Sequence, residues 1–208
     1  MPNPKKNNFK LIQEILKNDG IIAYPTETVY GLGCNPFSKN ALEKVFALKG
    51  RKLEQTPIVL IPNEQWLHRF AKDITPTVRY FTKKYWPGGL TLVLTAAPTV
   101  PNWLLRDDET IALRISSHPW VKEFMTFSNT PLISTSANVS HDASSLTLAQ
   151  VKTYFPTQID YCVDGGTLAP SRGSTIVRIS QTQITLMREG DVPFKQLSQE
   201  FHGHTEVF

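Results

Sequence analysis

Apolar residues recur along this chain with the spacing of amphipathic helices. Phe9, Ile12 and Leu16 fall on one helical face, and Gly20 follows as a helix-ending residue. A second segment begins after Ser38, a good N-terminal cap, and stops at Gly50. Four further helices are predicted at residues 76–85, 119–127, 147–155 and 193–201.

Short, continuous apolar runs separate these helices and predict strands that are buried on both faces. The runs lie at residues 21–24, 57–61, 91–95, 111–115, 131–134, 161–163, 174–179 and 184–187. This alternation is typical of an α/β sheet covered by helices, and the turn-linked strands near the C-terminus predict a mixed sheet. We therefore expect one α/β domain over residues 1–208, with its core at 9–190 and a C-terminal helix and tail at 191–208.

The composition agrees with a globular protein. Of the 208 residues, 40% are hydrophobic and 19% are charged, which argues against a disordered chain. Cys34 and Cys162 are too few for a disulfide framework or a metal cluster, so we expect two reduced, buried thiols. The polar N-terminus lacks a secretory pattern, and no apolar run is long enough to cross a bilayer. We expect a cytoplasmic protein without membrane contact; its net charge of +4 permits RNA or a nucleotide as a partner.

Two polar clusters follow predicted elements in the first quarter of the chain. Residues 25–33 combine hydroxyls with Gly31 and Gly33, which suits either an anion-binding loop or a plain turn with positive φ at the glycines. Lys49, Arg51 and Lys52 end a predicted helix. Cations there either offset the helix dipole or clamp a phosphate.

Two more clusters lie in the middle of the chain. Ser134 and Ser136 would share one face of a strand that continues into Asn138, as part of either a binding site or a capped turn. Arg114 interrupts an apolar strand and needs an anionic partner, which is either a ligand carboxylate or an internal acid. We expect His118, before Pro119, to be structural. The Walker Gly-x-x-x-x-Gly-Lys-Ser/Thr motif is absent from the sequence, which excludes ordinary P-loop ATP binding.

Taken together, these clusters resemble the YrdC/TsaC family, the threonylcarbamoyl-AMP synthases. The matching stretches occur in the family's order over nearly the whole chain: Tyr-Pro-Thr-Glu-Thr-Val-Tyr-Gly-Leu-Gly at 24–33, Leu-Lys-Gly-Arg at 48–51, Trp-Pro-Gly-Gly-Leu-Thr at 86–91, Ile-Ala-Leu-Arg at 111–114 with His-Pro at 118–119, Ser-Thr-Ser-Ala-Asn at 134–138, and Ser-Thr-Ile-Val at 174–177 with Arg-Glu-Gly at 188–190. Each stretch is weak alone, and the ordered set is specific. The length is similar to that of the family's short, single-domain branch.

The resemblance implies a twisted, open mixed sheet with flanking helices and a basic concave face that holds the site. It also implies an enzyme that uses L-threonine, bicarbonate and ATP, with Mg²⁺, to make threonylcarbamoyl-AMP and diphosphate. A partner complex would then transfer the threonylcarbamoyl group to the adenosine beside the anticodon of tRNAs that read codons beginning with A. The resemblance leaves direct contact of the enzyme with tRNA open.

Residue by residue, the resemblance implies two groups of contacts. The residues expected at threonine are Thr28, Arg114, Ser134 and Ser174. The residues expected at ATP are Arg51, Thr110, Ser136, Asn138, Ser144 and Arg188. Lys49 and Arg51 would neutralise charge on the triphosphate during catalysis, and we expect both at an exposed helix end. The family pattern assigns no metal ligand to this sequence.

This sequence departs from the family pattern at a few positions. Lys52 stands where the family usually has proline, and Ile61 replaces a histidine that contacts threonine in the longer branch. The segment after Arg51 is one residue longer, so either Gln55 or Thr56 is the ATP contact there, and residues 53–56 are a candidate lid. The alternative function is a non-catalytic RNA-binding module, whose binding would fall steeply with salt.

Overall fold

The computed structural model describes residues 4–50, 57–140 and 142–205. Within these ranges the helices are α1 Pro4–Lys17, α2 Lys39–Lys49, α3 Glu64–Phe70, α4 Pro76–Tyr85, α5 Pro119–Ser128, α6 Leu148–Tyr154 and α7 Phe194–Thr205, with a 3₁₀ turn at Asn102–Leu104. The strands are β1 Ile22–Pro25, β2 Tyr30–Gly33, β3 Ile58–Leu60, β4 Leu90–Thr95, β5 Thr110–Arg114, β6 Leu132–Ser136, β7 Tyr161–Cys162, β8 Thr175–Ile179 and β9 Ile184–Arg188.

The predicted helices and strands are all present, with ends that differ by a few residues. Helix α2 agrees best: the Ser38 side chain accepts from Ala41 N, and Gly50 ends the helix in the left-handed conformation. Helix α7 continues to Thr205, into part of the predicted tail. Helix α3 and strand β2 were not predicted. Gly31 and Gly33 belong to β2, so the prediction of a turn with positive φ at these glycines was wrong.

The strands form one mixed sheet in the order β7-β1-β2-β6-β3-β5-β4-β8-β9. Strand pairs β1–β7, β3–β5 and β4–β8 are parallel, and the remaining neighbours are antiparallel. The predicted mixed α/β sheet is therefore confirmed. Strands β6, β3 and β5 lie at its centre, and these strands carry the Ser-Thr-Ser and arginine clusters of the sequence.

The two faces of the sheet pack against different helices. Alternate residues of β1 separate the faces: Ile22 joins a cluster with α1 and α5, while Ala23 joins the larger core. Helices α1 and α5 meet through aromatic contacts of Phe9 with Trp120 and Phe124. Helices α2, α3, α4 and α7 contribute to the larger core on the other face. The larger core thus covers one face, and α1 and α5 cover the other face at β1, β3 and β6.

Neither cysteine of the described structure forms a disulfide. Cys34 is fully buried, as expected, and burial raises the pKa of its thiol to about 12. Cys162 is partly exposed, so its predicted burial was wrong: it lies in the short edge strand β7. Throughout the described ranges, the helices are too short or too polar to span a lipid bilayer.

Hydrogen bonds connect the segment before β8 with the segment after β9. Asp191 N donates to the Gly173 carbonyl at 2.9 Å, and Gly190 N donates to Thr175 Oγ1 at 2.9 Å. Gly190 is required at this crossing, because a Cβ there would lie 2.2 Å from the Gly173 carbonyl oxygen. Gly173 itself has φ of 86°, where glycine is favoured.

We therefore predict that Gly190→Ala destabilises the protein by about 2 kcal/mol or more, because backbone atoms must move to admit the methyl group. The expected fall in Tm is roughly 4–8 °C, measured by thermal unfolding. Gly203→Ala is the matched control, since a Cβ at Gly203 meets nothing within 4 Å and alanine favours helix α7. Equal Tm values for the two variants would contradict the packing argument.

Candidate active site

A cavity of about 140 Å³ opens on the sheet face that α1 and α5 share. Its volume is close to the roughly 150 Å³ of an apolar cavity that holds benzene, so it suits a ligand of amino-acid size. The lining residues come from the β1–β2 segment, the centre of the sheet and the β8–β9 end: Thr26, Thr28, Val29, Gly31, Ile58, Arg114, Ser134, Thr135, Ser136, Ser144, Arg172, Gly173, Ser174, Ile176 and Arg188.

Strand register explains why the polar side chains converge. Leu60 of β3 pairs with Arg114 of β5 and points to the α1–α5 face. Ile58, two residues earlier, pairs with Ser134 of β6 and points the same way. The shared face expected for Ser134 and Ser136 agrees with their common place in the cavity lining, and Arg114 of β5, on the other side of β3, lies on the same face. Gly31 permits this packing, since a Cβ there would lie only 3.3 Å from Ser134 Oγ.

Arg114 is buried, as expected, and an acid inside the protein lies beside it. Its side chain is 4% exposed, and its Nε lies 3.8 Å from Oε1 of Glu27. The other carboxylate oxygen of Glu27 accepts a short hydrogen bond from Ser116 Oγ. The two expected kinds of partner for Arg114 are therefore compatible. Glu27 is an internal acid beside it, and Arg114 also lines the cavity, where a ligand carboxylate could reach it.

Thr28 is oriented by its neighbour Thr26. The Thr26 hydroxyl donates to the Val29 carbonyl at 2.7 Å, so the hydrogen in its 2.9 Å contact with Thr28 Oγ1 comes from Thr28. The Thr28 oxygen then keeps its free lone pairs as acceptors for a ligand hydroxyl or amine. Both threonines are almost fully buried, so a ligand that leaves these acceptors without a donor would bind poorly.

Ser174 presents the complementary group, a hydrogen-bond donor. Its Oγ accepts from Thr91 Oγ1 at 2.9 Å and from Arg188 Nη2 at 3.1 Å. With its oxygen engaged twice, the Ser174 hydroxyl has its own hydrogen left to donate into the cavity. Arg188 also donates to the Ser174 carbonyl through Nε at 3.2 Å and Nη2 at 2.8 Å, which fixes the guanidinium against this residue.

The cavity wall is positively charged. Arg114, Arg172 and Arg188 line it, whereas none of the lining residues that the structure describes is acidic. Partial burial and then the positive charge of Arg114 lower the pKa of Arg188, which reflects the closeness of the two cations. Such a wall favours anionic ligands such as a carboxylate or a phosphate, and it agrees with the expected basic concave face.

Lys49 differs from expectation. It is 3% exposed, so the prediction that it stands at an exposed helix end was wrong. Its Nζ donates to the carbonyls of Ser136 and Asn138, the latter at 2.7 Å, and lies 3.4 Å from Asn138 Oδ1. The Asn138 side chain in turn donates to the Val139 and Asp142 carbonyls. Lys49 and Asn138 therefore shape the loop after β6 that follows Ser136, and neither lines the cavity.

The remaining predicted ATP contacts divide into two kinds. Thr110 begins β5 at the end opposite Arg114, and its hydroxyl donates to Asp108 at 2.5 Å, so the structure does not bring it to the cavity. Arg51, Gln55 and Thr56, together with the candidate lid at residues 53–56, lie outside the described residues. Thr28, Ser134, Ser136, Ser144, Ser174, Arg114 and Arg188 are brought together around the cavity.

Sequence reasoning missed Glu27, Ser116 and Arg172. Glu27 had one usable signal: a buried arginine requires an acid, and Glu27 lies within a polar cluster after a buried strand. Arg172 lies in a loop held by Asp191, whose Oδ1 accepts from Arg172 N at 2.9 Å, and no local pattern indicates this. His118 is structural, as expected: it caps α5 through Nδ1, and burial lowers its pKa although the charge of Glu27 opposes the shift.

We predict that Lys49→Met destabilises the protein, because it leaves the buried Asn138 carbonyl without its lysine donor and the Ser136 carbonyl with only Asn138 N as donor. A loss of about 1–3 kcal/mol per abandoned acceptor is expected, measured by urea unfolding. Lys44→Met is the control on the same helix, since Lys44 is exposed and donates to the Asp19 carbonyl at the surface. Equal unfolding free energies for the two variants would rule out the structural role of Lys49.

Comparison with known proteins gives a consistent picture. The Sua5/YciO/YrdC family model, described as "Telomere recombination", matches residues 14–190. A protein of Pyrococcus abyssi named threonylcarbamoyl-AMP synthase is 31% identical over 203 residues, which cover 96% of this chain and 60% of that protein. A protein of the same name from Pseudoalteromonas translucida is 40% identical over 156 residues, covering 73% of this chain and 83% of that protein.

A solved structure supports the same relationship. The crystal structure of P. abyssi Sua5 complexed with L-threonine superposes with a TM-score of 0.87 at 28% identity, covering 96% of this chain and 58% of that chain. This chain thus spans somewhat more than half the length of its P. abyssi relative. From the family match, the sequence identities and the shared fold, the chain belongs to the Sua5/YciO/YrdC family.

Proposed function

We propose that this protein is a threonylcarbamoyl-AMP synthase. The observation that carries the proposal is a cavity of amino-acid size in which Arg114 lies beside the hydroxyls of Thr28, Ser134 and Ser174. Two relatives bear this enzyme's name, and the P. abyssi structure was obtained with L-threonine. Arg114 binds the threonine carboxylate, and the hydroxyls recognise the threonine side chain and amine.

The reaction has two stages. The threonine amine and bicarbonate give a carbamate with loss of water, and a carbamate oxygen then attacks the α-phosphate of ATP, from which diphosphate leaves. Proton transfer is a small part of this chemistry, so positioning and charge stabilisation provide most of the rate. Arg188, with Arg172 nearby, is the described cationic group closest to where a phosphate would lie, since both line the cavity beside Ser174.

The residues proposed to act on ATP fall into three groups. Ser136, Ser144 and Arg188 line the cavity and contact the nucleotide directly. Lys49 and Asn138 act by shaping the loop that carries Ser136. Arg51 is proposed as a catalytic clamp on the triphosphate from the family pattern, and Thr110 as an ATP contact on the same ground.

The described residues do not form a protein site for Mg²⁺, since no group of three His, Cys, Asp or Glu side chains among them is placed to hold a metal. Mg²⁺ is retained in the proposal only as an ion that arrives on the phosphates of ATP. The product passes to a partner complex that modifies the adenosine beside the tRNA anticodon, and contact with tRNA is part of the same proposal.

A non-catalytic RNA-binding module would require none of the buried chemistry. A surface that binds a run of RNA phosphates needs exposed cations. Arg114 and Thr28, by contrast, are each only 3% exposed when the whole residue is counted. The catalytic proposal explains both residues as contacts to a small, enclosed ligand.

We predict diphosphate release from ATP only when threonine and bicarbonate are both present. The measurement is a coupled diphosphate assay with each substrate omitted in turn, and mass spectrometry identifies the adenylate. Serine and valine, which each lack one feature of threonine, are expected to support much slower release because buried polar groups are left unpaired. Release that is independent of threonine, or salt-sensitive RNA binding without any release, would disprove the proposal.

We predict that Arg114→Lys raises the KM for threonine by roughly 10–100-fold, since lysine keeps the charge and loses the fork that binds a carboxylate bidentately. The KM for ATP should change little. Arg79→Lys, an exposed position on α4, is the control. An unchanged threonine KM in Arg114→Lys would remove the carboxylate contact from the proposal.

A further inference from the structure

Glu27 lies directly behind the cavity wall. It stands between Thr26 and Thr28 in the loop joining β1 to β2, and its side chain is 17% exposed. It does not line the cavity, whereas both neighbouring threonines do. Its carboxylate is thus next to the cavity wall without being part of its lining.

The contact between Glu27 and Arg114 is close without being a hydrogen bond. Oε1 of Glu27 and Nε of Arg114 are 3.8 Å apart, and both atoms are buried. Neither has a hydrogen-bond partner within the described part of the chain. Since buried charged atoms without partners are costly, this pair is held in place by the surrounding structure and interacts mainly through charge.

Ser116 provides the support. Its Oγ donates to Oε2 of Glu27 and accepts from His118 N at 3.2 Å, and the residue is 2% exposed. Ser116 follows Arg114 by two residues on the same chain segment. The serine, the carboxylate and the guanidinium therefore close a ring that ties the β1–β2 loop to the end of β5.

We propose that Glu27 is a positioning residue for substrate binding: fixed by Ser116, its carboxylate holds the Nε side of Arg114 so that the Nη groups face the cavity. A guanidinium presents several donors in a rigid fork, so an acid on Nε leaves the outer pair of donors for a ligand carboxylate. This inference rests on the proposed function, in which that carboxylate belongs to threonine. Glu27 contacts neither substrate.

The charges around Arg114 explain why an acid is needed there. Arg172 and Arg188 line the same cavity, and its lining within residues 4–50, 57–140 and 142–205 contains no acid. Without Glu27, Arg114 would face these two cations with no negative charge behind it, and its guanidinium would turn towards other acceptors. Loss of the carboxylate is therefore expected to harm binding through orientation, although it would also remove a negative charge close to the substrate carboxylate.

The first test compares steady-state diphosphate release in three variants. Glu27→Gln should raise the threonine KM about tenfold, which corresponds to the loss of one charge-assisted contact, while the KM for ATP stays within about twofold. Ser116→Ala keeps both charges and frees the carboxylate, so it should raise the threonine KM by a smaller factor. Glu27→Asp keeps the charge and should partly restore the value found for the wild type.

Glu200→Gln is the control for instability alone. Glu200 accepts from Lys84 at 2.7 Å and from Tyr85 at 2.9 Å, which fastens α7 to α4 away from the cavity. This variant should lower Tm and leave the threonine KM unchanged. If Glu27→Gln fails to fold, Ser116→Ala decides the matter, because it removes no charge.

Two kinetic results would overturn the inference while the proposed function stands. One is an unchanged threonine KM in both Glu27→Gln and Ser116→Ala. The other is a lower threonine KM in Glu27→Gln, which would mean that Glu27 only competes with the substrate carboxylate. A wild type that releases no diphosphate in response to threonine is a different failure, since it overturns the proposed function first.

A second readout does not need turnover. In ¹⁵N spectra, the Arg114 Nε–H signal is identified by its loss in Arg114→Lys. It should shift in Glu27→Gln and in Ser116→Ala and stay in place in Glu200→Gln. An Arg114 signal that is the same in all of these proteins would overturn the positioning role whatever the enzyme assay gives.

Discussion

A positive charge held inside a β-sheet imposes a constraint that the surrounding structure has to meet. Arg114 ends β5, one of the three central strands, with its side chain almost removed from water. Taking an ion out of water is costly unless charge and polar groups surround it. Glu27 supplies charge, Ser116 fixes Glu27, and the open side of the guanidinium faces a cavity. Because the charge of Arg114 is only partly offset inside the protein, an anion is favoured at the cavity that it lines.

The other cavity groups are oriented in the same indirect way. Thr26 directs the hydrogen of Thr28, and Thr91 with Arg188 leaves the Ser174 hydroxyl as a donor. In each case a neighbouring residue, by its own hydrogen bond, determines whether the hydroxyl of the cavity residue donates to a ligand or accepts from it. A site ordered before its ligand arrives loses less conformational entropy on binding. Substitutions one contact away from the cavity should therefore alter specificity as much as substitutions in its lining.

Local signals explain why much of the fold could be predicted from the sequence. Ser38 and Gly50 mark the two ends of α2 through their own backbone preferences, and the apolar runs mark the strands. Strand β2 was missed because its glycines look like a turn until Ser134 and the Tyr24 ring are placed against them. Helix α3 has only seven residues, too few for a clear period.

The sequence predicted the types of residue in the candidate site better than it predicted the contacts between them. Hydroxyls and an arginine at strand ends predicted a site, and one cavity gathers seven of the expected residues. Lys49 defeated local reasoning, because its acceptors at Ser136 and Asn138 are 87 and 89 residues away. Glu27 was missed for the same reason. Its role depends on contacts with Arg114 and Ser116, which are distant in sequence and come close only in the folded sheet.

The pairing of β1 with β7 has a consequence for biosynthesis. Ile21 N donates to Asp160 at 2.7 Å across a separation of 139 residues, and β7 forms one border of the sheet. A chain emerging from the ribosome N-terminus first cannot close that border until residues 160–162 have been made, about 140 residues after β1. Until then the outer edge of β1 exposes unpaired amides and carbonyls, which are a template for strands from other nascent chains. Polysomes crowded with this message would be the place where such mispairing is most frequent.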